Sequence, residues 1–368
     1  MRILYGVNGE GMGHATRSRV VIDHLLNGHD VRVVASGAAF KYLRDKLPAV
    51  DEIFGPSFAM QDGQIRRWAT VRENLTKVGH QLPHTVREWH ARVQEWCPQV
   101  VITDFEPLAA VYAREARSPL IAIDNINMLD RCRHDAEIIE GARSDFHVAK
   151  AVTAAMVNGA NEYVVTTFFH PPVSRARTTL VPPIVRPEVE AAKPERGDHL
   201  VVYFGGDPAL LEALRASGIP CRVYGMRGGP AEDEQDGNLE FRPRSNDGFV
   251  EDLRTSRGVV TGGGFSLLSE AVYMGKPVLA IPLRGQFEQL LNARYLEREG
   301  YGLCAQEVTQ ETVERFIEGL DGFERALGSY EQEGNRVTLE TVERLAAEQA
   351  GAGKRELRRG RALARKHI

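Results

Sequence analysis

Short apolar runs alternate with helix-length amphipathic stretches from the first residue onward. Arg2–Val7 reads as a buried strand, followed by a glycine-rich turn and a helix that runs to about Asn27, with Gly28 as its stop. Val31–Ala35, Val100–Thr103 and Leu120–Ile123 are further strands, separated by segments such as PLAAVYAREAR (107–117), and Glu162–Phe168 closes this half. Near-continuous apolar strands between helices predict a parallel sheet covered on both faces. Pro182, Pro183, Pro187 and Pro194 then crowd a segment expected to hold neither helix nor central strand. The pattern restarts with strands at Leu200–Phe204, Cys221–Tyr224, Leu239–Phe241, Val259–Thr261 and Val278–Ile281. Asp207 caps the helix after Leu200–Phe204, and Pro208 occupies its first position, where the missing N–H costs nothing. Residues 336–349 read as a last helix, and Lys354–Lys366 carries seven Lys/Arg against one Glu.

This organisation predicts an α/β protein: two Rossmann-like domains whose parallel sheets face each other across a cleft. The expected divisions are a first domain at 1–180, a linker at 181–197, a second domain at 198–335, and a C-terminal helix with a basic tail at 336–368. Ligands in such sheets sit outside the carboxyl ends of the strands, so the chemistry is sought in the loops there.

Composition narrows the function. The 368 residues are 43% hydrophobic and 26% charged, with a formal net charge of −4. That balance argues against nucleic acid as a partner, because such domains are usually basic. Cys97, Cys132, Cys221 and Cys304 are scattered without metal-ligand spacing, so neither a disulfide framework nor a zinc site is expected. The opening residues lack the apolar stretch of a signal peptide, and no run reaches the length of a membrane span. The expected location is the cytoplasm, with peripheral contact at the inner face of the membrane left open.

The most informative stretch is 259–293. A strand delivers Thr261 and then Gly262, Gly263 and Gly264, and a helix opens at Phe265 and Ser266. Glycines allow close backbone approach, and the helix start offers unpaired N–H groups at a positive dipole end. Together they form a cradle for pyrophosphate, although a ligand-free structural turn would use the same residues. Glu270 lies one turn on, along the same face, where its carboxylate can accept ribose hydroxyls. Glu288 and Gln289 place a carboxylate beside an amide, a set suited to sugar hydroxyls.

The opening turn, Gly9 to Ser18, holds Gly11, Gly13 and His14 between the first strand and the first helix. Gly11 and Gly13 are counted with the nucleotide-sugar site. A histidine at a helix start is held toward its neutral form, which can act as a general base near pH 7. The alternative is that His14 merely packs against the glycines. Asp104 ends the strand near 100 at the same sheet edge and can orient the imidazole; it could equally cap the helix at Pro107. Asp104 and Glu106 also form an acidic pair, too few ligands for an essential ion. No metal and no cofactor beyond a nucleotide-sugar co-substrate are expected.

The order of glycine loop, Ser266, Glu270, Gly275-x-Pro277, Pro282, Glu288-Gln289 and Asn292-Ala293 closely resembles the donor-binding region of GT-B glycosyltransferases. It is most similar to the group holding the UDP-glycosyltransferases and the lipid II-forming enzyme of peptidoglycan synthesis. The resemblance implies that Gly262–Ser266 hold the diphosphate, Glu270 the ribose, and Glu288 and Gln289 the sugar. It also implies that Arg242–Ser245 border the nucleobase, that Gly205 and Gly206 line the diphosphate, and that His14 and Asp104 are the catalytic dyad. Many UDP-glycosyltransferases carry a histidine where Gly262 stands. The opening loop is also similar to a G-x-G-H-x-x-R pattern in sugar-nucleotide hydrolases.

The implied function is metal-independent, inverting transfer of a sugar from a UDP-linked donor to a hydroxyl of a small molecule or lipid-linked glycan. A nucleotide-sugar hydrolase or epimerase, or a non-catalytic binding partner, are the alternatives. On the acceptor side, Arg66, Arg67, Trp68, Arg72, Lys77, Arg87, Trp89, Arg92 and Trp96 form a basic-aromatic stretch interleaved with acids. This reads as amphipathic surface, or as a rest for a lipid headgroup region. Asp124, Asn125, Asn127 and His170 lie at strand ends toward the cleft.

Overall fold

The computed structural model describes residues 1–53, 60–61, 64–65, 86–205, 207–226, 230–243 and 245–364. Its first sheet comprises β1 (Arg2–Val7), β2 (Asp30–Ala35), β3 (Val50–Glu52), β6 (Val100–Asp104), β7 (Leu120–Asp124), β8 (Glu162–Thr166) and β9 (Thr178–Val181). Between β3 and β6 lie a small hairpin of β4 (Met60–Gln61) and β5 (Gln64–Ile65) and a helix, α3, over 86–96. The strand order is β3-β2-β1-β6-β7-β8-β9, with every neighbour parallel. Helices α1 (Met12–Leu26), α2 (Gly37–Leu43), α4 (Pro107–Glu115), α5 (Met128–Arg131) and α6 (Arg143–Met156) accompany this sheet. Its central strands β1, β6, β7 and β8 are buried almost throughout, as a sheet covered on both faces requires.

The second sheet runs β12-β13-β11-β10-β14-β15-β16. Its members are β10 (Leu200–Tyr203), β11 (Cys221–Tyr224), β12 (Glu234–Asp236), β13 (Leu239–Phe241), β14 (Gly258–Thr261), β15 (Val278–Ala280) and β16 (Gly302–Cys304), and only the edge strand β12 is antiparallel. The helices of this half are α8 (Pro208–Ser217), α9 (Asn246–Arg254), α10 (Phe265–Tyr273), α11 (Phe287–Arg298) and α12 (Gln310–Leu327). Asp207 caps α8 as expected, its Oδ1 accepting from the Ala209 N–H at 2.9 Å.

Three expectations need correction. The first sheet does not close at 162–168, because β9 adds a strand at its edge. The proline-rich segment does hold a helix, α7 (Pro187–Ala191), since Pro187 occupies the first helical turn, where its ring fits and no N–H is needed. The last helix is also longer than 336–349: α13 (Arg336–Ala364) extends into the basic run. Val342, Leu345 and Ala346 of α13 are buried against the core of the first sheet, so the chain's last helix returns to its first half. Among the described residues, no helix is long and apolar enough to cross a membrane.

The two halves share a core. Phe146, Phe168 and Phe169 from the first half pack with Phe265, Phe287 and Tyr295 from the second. Phe169 stacks on Tyr295 with ring centroids 4.0 Å apart, and Phe168 stacks on Phe265 at 5.8 Å. His134 accompanies them, its Nδ1 2.9 Å from the Tyr295 hydroxyl. Such aromatic pairs each add about 0.5–1.5 kcal/mol beyond the area they bury. The back of the cleft is thus apolar and fixed, and its polar mouth lies at the carboxyl ends of the strands.

Candidate active site

Each sheet reverses its strand order at one point, between β1 and β6 in the first and between β10 and β14 in the second. A crevice opens there because successive crossovers leave on opposite faces. In the first sheet, Val7 and Asp104 are register partners at the carboxyl ends of β1 and β6. The chain turns from Val7 into α1 through Asn8, whose side chain donates to Phe105 O at 2.9 Å and accepts from the Glu10 N–H at 2.8 Å. This turn brings His14, on the first turn of α1, back over Asp104.

The imidazole Nδ1 of His14 lies 2.8 Å from Asp104 Oδ1. Asp104 is buried and is gripped by two more side chains that sequence reasoning assigned no role. Arg17 reaches both carboxylate oxygens, with Nε 2.8 Å from Oδ2 and Nη2 against Oδ1. Ser18 Oγ donates to Oδ2 at 2.7 Å. Burial alone would raise the Asp104 carboxyl, but the Arg17 charge and the His14 ring outweigh it and hold the group well below the usual carboxylate range. Arg17 falls three residues after His14, on the same helix face. A mid-helix arginine beside a run of buried residues was a readable sign that a carboxylate waits across the loop.

The acidic pair separates. Phe105 adopts a positive φ of 54°, which turns Glu106 away from Asp104. Glu106 caps α4, accepting from the Leu108 N–H at 2.9 Å and the Ala109 N–H at 2.6 Å. The cap expected as an alternative for Asp104 therefore belongs to Glu106. Burial, partly offset by those two N–H groups, pushes Glu106 up to about 7.

On the facing half, β14 delivers Thr261, and the loop Gly262–Gly264 leads into α10. Neither α1 nor α10 has a side-chain cap: Gly11 and Gly264 stand at the two N-cap positions, leaving the first N–H groups unmet by the helices themselves. The two helix starts meet. A Cβ built on Gly13 would lie 2.6 Å from Ser266 Oγ, so the absence of a side chain at 13 is what lets the halves approach this closely. Gly263 is tighter still, because a Cβ there would fall 2.2 Å from the backbone oxygen of Gln289. Asn292 completes this packing, with Nδ2 donating to Gly263 O at 3.2 Å and to Glu288 Oε1 at 3.1 Å.

Glu288 therefore sits at the start of α11 facing His14 and Arg17. Burial raises its carboxyl above the ordinary value, and the charges of His14 and Arg17 oppose that shift. Gln289 is turned inward: its Oε1 accepts from the Leu283 N–H at 3.0 Å, and its Nε2 donates to Gln286. Gly263→Ala is expected to displace the first turn of α11, costing about 1–3 kcal/mol of stability as an overpacked site does. Gly264→Ala, whose Cβ meets nothing within 4 Å, should cost far less. Urea unfolding of the two variants checks this, and equal midpoints would refute it.

Glu270 is less open than the sequence suggests. Arg186, just before α7, takes both its oxygens, Nε to Oε1 and Nη2 to Oε2, each at 2.7 Å. Arg186 also lies over the Phe249 ring, 5.6 Å from its centroid. In the segment expected to border a nucleobase, Arg242 and Ser245 are engaged within the protein, and Arg244 lies outside the described residues. Ser245 Oγ caps α9 by accepting from the Gly248 N–H at 3.1 Å, and Arg242 pairs with Asp252 at 3.3 Å. Gly205 is exposed just beyond β10, whereas Gly206 lies outside the described residues.

A sequence profile described as Glycosyl transferase family 1 matches residues 1–321. This chain belongs to that family. An uncharacterized glycosyltransferase of Methanosarcina acetivorans is 25% identical over 333 residues, covering 82% of this chain and 85% of the relative. Among solved structures, the fold matches the glycosyltransferase VinC in complex with dTDP, with a TM-score of 0.62 at 13% identity over 96% of this chain and 100% of that one. It also matches the spinosyn rhamnosyltransferase SpnG complexed with thymidine diphosphate, at 0.62 and 16% identity over 94% and 100%. The chain is thus a GT-B glycosyltransferase with two Rossmann-like halves. The likeness is not specific to the lipid II-forming branch.

The residues expected toward the acceptor are partly fixed by their own packing. Asp124 accepts from the backbone and side-chain N–H groups of Asn127, both at 2.6 Å, and Asn125 donates to Thr166 O at 3.2 Å. Burial, with the nearby Asp104 charge adding to it, pushes Asp124 up to about 6 against the pull of the Asn127 N–H groups and Arg17. His170 is exposed. In the basic-aromatic stretch, Trp89 is 3% exposed, packed edge-on against Tyr112, so it is core and cannot rest on a lipid surface. Trp96 donates to Asp30 at 3.1 Å, Arg87 and Arg92 are exposed, and Arg66, Arg67, Trp68, Arg72 and Lys77 lie outside the described residues.

Proposed function

We propose that this glycosyltransferase moves a sugar from a uridine or thymidine diphosphate donor to a hydroxyl of a small-molecule acceptor, with inversion and with His14 as general base. The observation that carries this reading is the meeting of two uncapped helix starts, α1 and α10, beside the His14–Asp104 pair. A diphosphate at that junction would accept from unmet N–H groups at two positive dipole ends. These ends supply positive charge for the departing diphosphate, which is the reason to propose transfer without a metal ion. The thymidine diphosphate bound to SpnG supports a pyrimidine donor.

In this scheme His14 Nδ1–H donates to Asp104, and the opposite nitrogen, Nε2, accepts the proton of the acceptor hydroxyl. The acceptor oxygen bonds to the anomeric carbon as the bond from that carbon to the diphosphate breaks. Glu288 and Gln289 are assigned to the donor sugar. Glu270 is assigned to the ribose, which would share its oxygens with Arg186 or displace it.

A thermal-shift series with UDP, TDP, GDP, CDP and ADP and their sugars tests the donor. UDP or TDP should raise the midpoint, since a ligand bound only by the native state stabilises it by RT ln(1 + [L]/Kd). No shift with any of the five would refute the donor site. With the matching sugar nucleotide alone, slow leakage is expected; fast turnover without an acceptor would make the protein a hydrolase.

A further inference from the structure

We propose that Arg17 is a positioning residue of the catalytic centre, controlling which ring nitrogen of His14 carries the proton. Its kinetic meaning rests on His14 being the base, but the proposal itself concerns only the state of the ring. Two groups compete for His14 Nδ1 at the same distance. Asp104 Oδ1 lies 2.8 Å away and can only accept, and Arg17 Nη2 lies 2.8 Å away and can only donate. When Nδ1 donates to Asp104, Nε2 is left with its lone pair and can take a proton. When Nδ1 accepts from Arg17, the proton sits on Nε2, and that nitrogen becomes a donor unable to act as base. A simple histidine–aspartate pair has only the first state.

The same contacts alter the electrostatics. Arg17 holds both oxygens of Asp104 and Ser18 holds one, so the carboxylate's charge is largely answered before the imidazole draws on it. The guanidinium lies as close to the ring as the carboxylate does. Every charged group facing His14 enters this balance: Asp104 on β6, Arg17 on α1, Glu288 on α11, and Asp124 at the end of β7, which acts through Asp104 and Arg17.

The test follows the ring directly and needs no ligand. Protein labelled with ¹³C and ¹⁵N in histidine is titrated by NMR, with His14→Ala identifying the His14 signals. In Arg17→Met, the Nδ1–H tautomer should dominate, and the titration midpoint of the ring should move to higher pH by about one unit or more, because a cation within 4–6 Å has been removed. Arg17→Lys keeps a positive charge but loses the planar fork. Its midpoint should stay within a few tenths of wild type while its tautomer balance shifts toward Nδ1–H. This second variant reads the same question if the buried methionine prevents folding. A folded Arg17→Met or Arg17→Lys with wild-type tautomer balance would overturn the proposal, as would a midpoint in Arg17→Met that is unchanged or lower. Full turnover by His14→Ala would refute the base reading and leave this result standing.

Discussion

Replacing His14 with alanine is expected to lower kcat by about 10²–10⁴-fold, the usual worth of a positioned general base. The Kd for the nucleoside diphosphate should change little. The imidazole is 14% exposed, and its structural hydrogen bond runs to Asp104, which keeps Arg17 and Ser18 as partners when the ring is gone. The fold should therefore survive. Turnover in single-turnover format, paired with calorimetric nucleotide binding, separates the outcomes. Loss of turnover with binding intact supports the base; loss of both would mean that His14 holds the donor instead.

Replacing Asp104 with alanine should have the largest effect on stability, about 3–5 kcal/mol, because it strands the buried Arg17 guanidinium without its counter-charge. Arg17 is 7% exposed and Asp104 1%, so solvent screening offers little relief. Asp104→Asn keeps the shape and one acceptor, and it should fall between alanine and wild type. The pH dependence carries a definite sign. Since the folded-state carboxyl is held below its ordinary range, its contribution is fully present above about pH 4 and fades as pH falls toward the depressed folded value. Denaturant midpoints of wild type and Asp104→Asn should therefore be well separated at pH 7 and converge in acid. A constant separation down to low pH would show that Asp104 stabilises by packing rather than by charge.

How far the sequence could be read depends on the distance over which each decision is made. The strands Cys221–Tyr224 and Leu239–Phe241 and the cap at Asp207 are local events, set by apolar runs and by one carboxylate meeting one helix start. The helix in the proline-rich segment was missed because proline density argues against helix in general but not at a first turn. The short edge strands β3, β9, β12 and β16 were missed because an edge needs few apolar residues and takes its order from the neighbour already in place.

By itself, the sequence determined the two-sheet class, the glycine loop, His14 at a helix start and Asp104 at a strand end. Tertiary structure alone decided that Val7 and Asp104 would be register partners, that Arg17 would seize Asp104, that Arg186 would occupy Glu270, and that α13 would return to the first sheet. These are pairings between residues 84 to 319 positions apart. A side chain's type states what partner it needs, and only the crossing of strands and helices decides which partner arrives.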